Sequence, residues 1–149
     1  MRTRGHAPPV ERAVRVYSKL GEHGAIWLAT AGAGAALDPG RRAAWLRAGA
    51  TVVASFVANQ AVKLAVRRPR PQLDDLPPLI HTMSNRSYPS AHATTCGAAT
   101  VAFDALLPSA PLRAVAVTMA LTRPYLGVHY PSDSVAGYAL GVAVAELAA

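Results

Sequence analysis

Three short strings in this chain carry residue types that could move a phosphoryl group: Lys63-x6-Arg70-Pro71, Pro89-Ser90-Ala91-His92 and Arg123-x5-His129-x3-Asp133. Lys63, Arg70 and Arg123 are cations that can gather phosphate oxygens. His129 precedes Asp133 by four residues, and a carboxylate that accepts from one ring nitrogen fixes the tautomer and makes the other nitrogen a better nucleophile. Ser90 is a favoured N-cap, so the amides of Ala91 and His92 would open a helix and point at an anion, with the Ser90 hydroxyl beside them. Each string also has a plain reading. The second is an ordinary capped helix with a surface His92. In the third, Asp133 serves the helix dipole and His129 is a loop histidine bonded to a carbonyl. In the first, Lys63 and Arg70 are a snorkelling lysine and a basic interfacial loop. Convergence favours the chemical reading, because phosphoryl transfer needs charge stabilisation, a nucleophile and an acid together.

The elements that must position these residues read as helices. Alanine is abundant, small residues recur, and no stretch alternates as a strand would. Apolar stretches cover Gly24–Leu37, Ala48–Val62, Ala91–Leu107, Ala114–Thr122 and Ser134–Ala149. The first hydrophobic helix runs over Gly24–Leu37 and ends at Asp38-Pro39-Gly40. The second is Trp45–Val66. A loop rich in proline and charge follows over Arg67–Pro89, including Asp74 and Asp75. The third helix starts at Ser90 and stops near Pro108 and Pro111. The fourth runs from about Leu112 to Thr122 and is closed by Arg123-Pro124. The fifth opens at Pro131, a residue suited to a first helical turn. Alternate crossing would put all three strings on one face. Val10–Leu20 reads as an amphipathic helix near a membrane surface.

The fold class expected is therefore all-α: a compact multi-pass transmembrane bundle of about five hydrophobic helices plus an N-terminal amphipathic helix, as one domain over 1–149 with a basic segment at 1–20. Mean hydropathy is only +0.21 although 52% of residues are hydrophobic. No stretch alone reaches the roughly 20 apolar residues of a full span, but four or five do so with flanking residues. The formal charge of +7 fits a lipid surface or a phosphate-bearing substrate. It forms no stripe interleaved with aromatics, which argues against nucleic acid. The single Cys96 can form no internal disulfide, and no metal-ligand spacing is present.

The strings resemble the signature of the phosphatidic acid phosphatase type 2 family, the lipid phosphate phosphatases: Lys-x6-Arg-Pro, Pro-Ser-Gly-His and Ser-Arg-x5-His-x3-Asp. The resemblance runs from about Phe56 to Gly137. It implies that His129 attacks phosphorus and is transiently phosphorylated, that Asp133 orients it, and that His92 protonates the leaving group. Lys63, Arg70, Arg123, Ser90 and the Ala91 amide would hold the phosphate, with no metal and no cofactor. Two positions depart from the pattern. Ala91 stands where the family usually has Gly, which could reshape the cradle because Ala resists positive φ. Thr122 stands where it usually has Ser.

The implied partner is a lipid-linked phosphate within membrane lipids, a prenyl-linked phosphate before phosphatidate, phosphatidylglycerol phosphate or undecaprenyl pyrophosphate. Competing expectations are a soluble acid phosphatase or vanadate haloperoxidase of the same fold, and a non-catalytic membrane protein binding anionic lipid. Arg2, Arg4, Arg12, Arg15 and Lys19 at the site's end, against Arg41, Arg42, Arg47 and Arg113 at the other, lean towards a cytoplasmic site in the cell membrane.

Overall fold

The structure is a computed structural model that describes residues 6–72 and 76–149. Arg2, Arg4, Asp74 and Asp75 lie outside the described residues. Six helices follow one another: α1 Pro8–Leu20, α2 Ala25–Leu37, α3 Arg42–Val66, α4 Ala91–Ala102, α5 Ser109–Tyr125 and α6 Pro131–Leu147. One-turn 3₁₀ segments stand at Glu22–Gly24 and Pro39–Arg41. Among the described residues no strand forms; the long loop carries an isolated bridge between Pro69 and Arg86, beside which the Ser87 N–H donates to Arg68 O at 2.8 Å. The fold is all-α, as the composition implies.

α4 is the central helix, buried continuously from His92 to Thr100 and packed against α3, α5 and α6. Its closest neighbour is α6, and glycine makes that approach possible. A Cβ at Gly141 would run into the Thr94 carbonyl, and one at Gly97 into the Tyr138 carbonyl. Backbone-to-backbone contact of this kind suits helices that cannot rely on expelling water from between them. It brings the start of α4 against the start of α6, where the Ser90 N–H donates to Asp133 O at 3.0 Å.

Helix ends follow local chemistry, with two corrections to the expected boundaries. α3 stops at Val66; Arg67 takes a left-handed φ of 53° and bonds back to Lys63 O at 3.3 Å. Arg68 precedes a proline and is thereby biased away from helix. The third hydrophobic helix was expected to reach Pro108 but ends at Ala102. Phe103 is the cause: its ring lies 6.4 Å from Trp27 and 6.0 Å from Trp45, and its carbonyl accepts from both Leu106 and Leu107 at 2.9 Å. The fourth was expected over Leu112–Thr122, yet α5 begins at Ser109 and runs through Arg123-Pro124 to Tyr125. Pro124 lacks the N–H that would bond the Ala120 carbonyl. Ser134 Oγ of α6 donates to that carbonyl instead, at 3.4 Å.

The apolar core gathers around Trp27, Ala31, Trp45, Val52, Phe103, Leu112 and Met119; Trp45, near the start of α3, and Phe103, after α4, lie at the ends of those helices opposite Lys63 and His92. Outward, Leu46, Val53, Val57 and Leu64 of α3, Val117 and Leu121 of α5 and Val135 of α6 are exposed. An apolar exterior on several helices marks contact with lipid more than with water. Pro39–Val66, at 28 residues, is long and apolar enough to cross a membrane. α2, α4, α5 and α6 have 13, 12, 17 and 17 residues. At 1.5 Å per residue each falls short of the roughly 30 Å hydrocarbon core.

α1 departs from expectation in one respect. Its outer side is amphipathic, with Arg12, Arg15, Val16 and Leu20 exposed, but its end is docked into the bundle. Tyr17 OH donates to Val115 O at 3.0 Å, and Ser18 is 2% exposed.

Candidate active site

The corner after α1, the end of α3, the loop after it, the start of α4 and the end of α5 meet around one cavity of about 230 Å³. Lys63, Arg70, Ala91, His92 and Arg123 line it, along with Glu22, His23 and Gln60. Lys63 is delivered by α3 one turn after Asn59, which is fully buried and donates to Thr94 Oγ1 at 2.8 Å and Pro89 O at 3.3 Å. Residues i and i+4 share a helix face, so tying Asn59 to α4 aims Lys63 at the cavity. The ammonium then donates to Arg86 O at 3.2 Å.

Arg70 reaches in from the loop. Its Nε donates to Ser84 O at 2.7 Å, and Nη1 donates to Val128 O at 2.6 Å. The same Nη1 stands 3.2 Å from His129 Nε2. A guanidinium can only donate, so Nε2 must be the accepting nitrogen and the ring proton belongs on Nδ1. Nδ1 faces Asp133 Oδ2 at 3.5 Å and has no closer partner. His129, 5% exposed, thus turns a lone pair towards the cations and its N–H towards a carboxylate. Burial first, and then Arg123, Arg70 and Lys63, push the imidazole down to about 4, while Asp133 works the other way. Burial likewise holds the Arg70 guanidinium below the ordinary arginine range, opposed by Asp133.

Asp133 does two jobs at once. Oδ2 accepts from the Tyr130 N–H at 2.9 Å and so caps α6, the plain helix-start reading. Oδ1 accepts from Arg68 Nη1 at 3.0 Å. Arg68 also donates to Ser132 Oγ at 3.0 Å and lies 4.0 Å above the Tyr130 ring. A fully buried carboxylate needs this many donors to stay ionised. The chemical and capping roles of Asp133 are compatible, because the cap sets the direction in which the carboxylate faces His129.

At the start of α4, Ser90 is fully buried and accepts from Ala93 N at 3.4 Å, so its hydroxyl caps the helix and does not line the cavity. Ala91 begins the helix. The described non-glycine residues with positive φ are His23 and Arg67, so Ala91 makes no demand that only glycine could meet. His92 Nε2 lies 3.0 Å from Ser18 O. A carbonyl only accepts, so Nε2 carries a proton. Arg123 Nη1 donates to Ser18 Oγ at 3.0 Å, while its Nε is buried with no partner. An orphaned guanidinium N–H beside Lys63 and Arg70 fits an anion.

All eight positions singled out from the sequence gather here: five on the cavity wall, with His129, Asp133 and Ser90 packed behind it. Three further residues escaped the sequence reading. Asn59 had a signal, a lone amide in an apolar helix one turn before Lys63. Arg68 was visible only as one of a run of basic loop residues. Ser18 carried none, since nothing in an amphipathic helix shows which polar residue turns inward.

Residues 44–149 match the model of the PAP2 superfamily. The chain belongs to the PAP2 superfamily. It is 44% identical over 131 residues to the decaprenylphosphoryl-5-phosphoribose phosphatase of Mycolicibacterium smegmatis, covering 87% of this chain and 72% of that protein. The enzyme of the same name from Mycobacterium tuberculosis is 40% identical over 141 residues, covering 94% and 79%. Among solved structures, the transmembrane PAP2 type phosphatidylglycerolphosphate phosphatase of Bacillus subtilis superposes with a TM-score of 0.78 at 23% identity, over 96% of this chain and 76% of that one. This PAP2 chain is thus a phosphatase, a hydrolase of phosphate esters, and its long apolar helix and family assign it to the membrane. The non-catalytic alternative falls away.

Proposed function

We propose that this PAP2 phosphatase removes the terminal phosphate of a prenyl-linked sugar phosphate through a phosphohistidine on His129, without a metal. The observation that carries the reading is the orientation of His129, whose Nε2 lone pair faces Arg70 in a nest of three cations while its N–H faces Asp133. Nε2 attacks phosphorus and forms a P–N bond as the P–O bond to the leaving group breaks. Lys63, Arg70 and Arg123 hold the three remaining oxygens and offset the charge that builds on them. His92 delivers a proton to the leaving oxygen. Because its Nε2–H is committed to Ser18 O, the transferred proton is one that Nδ1 first takes from the monoanionic substrate phosphate as it binds, so that His92 acts in this step as the imidazolium. Water then attacks phosphorus, giving its proton back to His92, and the P–N bond breaks to release inorganic phosphate.

The substrate class rests on the two mycobacterial-type relatives, which this chain matches over most of its length. A multi-pass arrangement is supported by the apolar exterior of α3, α5 and α6. The sequence carries five cations ahead of the first apolar helix (Arg2, Arg4, Arg12, Arg15, Lys19) against four at or near the starts of α3 and α5 (Arg41, Arg42, Arg47, Arg113), a balance that by the positive-inside rule favours a cytoplasmic site.

The test is phosphate release by detergent-purified protein from a panel: decaprenylphosphoryl-5-phosphoribose, phosphatidylglycerol phosphate, phosphatidate and undecaprenyl pyrophosphate, with His129→Ala as blank. The prenyl-linked sugar phosphate is expected to have the highest kcat/KM. A preference for a glycerolipid would overturn the substrate, and unchanged release by His129→Ala would overturn the mechanism.

A further inference from the structure

We propose that Ser18, on the N-terminal helix, is a positioning residue for catalysis: it sets the Arg123 guanidinium and the His92 ring at once. This rests on the active-site reading above but adds an element outside it, because the family match begins only at residue 44.

Ser18 is one of the few polar residues of α1 that turn inward, and it is 2% exposed. Both of its oxygens are engaged by the site. Oγ accepts from Arg123 Nη1 at 3.0 Å and also meets the Thr122 hydroxyl at 3.0 Å. The backbone oxygen accepts from His92 Nε2 at 3.0 Å. These contacts bridge 74 to 105 residues of sequence. The corner after α1 is shaped to keep them. Gly21 is buried against α4 and α5, where an added Cβ would collide with Met119 Sδ and stand 3.1 Å from the His92 ring.

The electrostatics favour the arrangement: Glu22 lies on the same cavity wall, but the direct contact to Arg123 is made by Ser18. Arg123 must be held rigidly in a site that already contains Lys63 and Arg70, and like charges repel one another until an anion arrives. A neutral acceptor can hold the guanidinium in place without cancelling the charge meant for phosphate. A carboxylate in the same place would compete with the substrate. Ser18 Oγ binds one end of the fork and leaves Nε unpaired.

The experiment compares Ser18→Ala, Ser18→Thr and Ser18→Cys in the full chain, reading kcat/KM, the inhibition constant for orthovanadate and the melting midpoint. Ser18→Ala is expected to lower kcat/KM tenfold or more and to weaken vanadate by a similar factor. Ser18→Thr, which keeps the acceptor, should recover most of both. Ser18→Cys, a weak acceptor of nearly the same size, should fall between and serves as the test if the alanine variant does not fold. In the Arg123→Ala background the effect of Ser18→Ala on kcat/KM should largely vanish, since a residue acting through Arg123 has nothing left to position. Wild-type kcat/KM and vanadate affinity in Ser18→Ala, or in Ser18→Cys should the alanine variant not fold, would overturn the proposal, as would full additivity with Arg123→Ala. A wild-type protein with no His129-dependent phosphate release would instead overturn the active-site reading itself.

Discussion

Arg70 Nη1 lies 3.2 Å from His129 Nε2, a cation against the lone pair of the proposed nucleophile. This contact covers Nε2. A phosphate entering between them would take over the guanidinium hydrogens and uncover the nitrogen in the same motion. On the proposed mechanism, exposure of the nucleophile would thereby be coupled to substrate arrival.

The consequence for Arg70 is specific. Arg70→Ala should lower kcat/KM by about 10²–10³-fold, the usual cost of losing a charge-stabilising donor. Arg70→Lys should recover little, because a point charge cannot serve Ser84 O, Val128 O and a phosphate oxygen at once. Steady-state phosphate release with vanadate inhibition in parallel checks both.

The pH profile should carry the mark of a buried histidine. With its folded value near 4, below the ordinary value of about 6.5, His129 stays neutral and nucleophilic well into acid. The unfolded chain takes up that proton near 6.5 and the native chain does not, so stability falls as pH drops from about 6.5 towards 4. The acid limb of kcat/KM, after correction for ionisation of the substrate phosphate, should lie clearly below 6. A limb at the ordinary histidine value would contradict the burial of His129.

Asp133→Asn should cost about 10²–10³-fold in kcat, somewhat less than a carboxylate-to-amide change in a serine protease triad, since the Nδ1 to Oδ2 distance is already 3.5 Å. It should also lower the melting midpoint, because an amide cannot satisfy Arg68 and the Tyr130 N–H as a carboxylate does. Kinetics paired with thermal unfolding separates the two effects.

The two histidines should part company on an activated substrate. His92→Ala should lose about 10²–10⁴-fold on an alkyl phosphate, the range for general acid catalysis, yet recover most activity on p-nitrophenyl phosphate, whose leaving group needs no proton. His129→Ala should stay inactive on both. Equal rescue of the two variants would argue against the roles given to them.

Gly141→Ala tests the scaffold. The new Cβ meets the Thr94 carbonyl, which no rotamer change can move, so α4 and α6 must separate. Overpacking of this kind costs about 1–3 kcal/mol. It should also reduce activity, because the Ser90 to Asp133 backbone bond joins the same two helices.

What the sequence made legible follows from which forces are local. The start of α6 could be read from Pro131 and Asp133, and the end of α3 from Arg67 to Pro71, because caps and prolines act within a turn. The meeting of Lys63, His92, Arg123 and His129 could be read from helix order alone. Two boundaries could not. α4 stops at Phe103 because two tryptophans from other helices hold that ring, and α5 runs past Arg123-Pro124 because Ser134, ten residues after the proline, bonds the carbonyl it leaves free. Ser18, Asn59 and Arg68 were hidden for the same reason. Their roles depend on partners 30 to 105 residues away, and a single sequence does not show such pairings.

Trp45 and Phe103 of the apolar core sit at one end of the bundle and the polar site at the other. The two ends are therefore held by forces that answer differently to heat and to detergent. The apolar end tightens or loosens with the solvent around it. The catalytic end depends on single bonds such as Arg68 to Asp133 and Ser18 to Arg123, each of which can open alone. On warming, such a molecule is expected to go silent before it melts: activity should be lost while most helices are still folded, and cooling from that stage should bring it back.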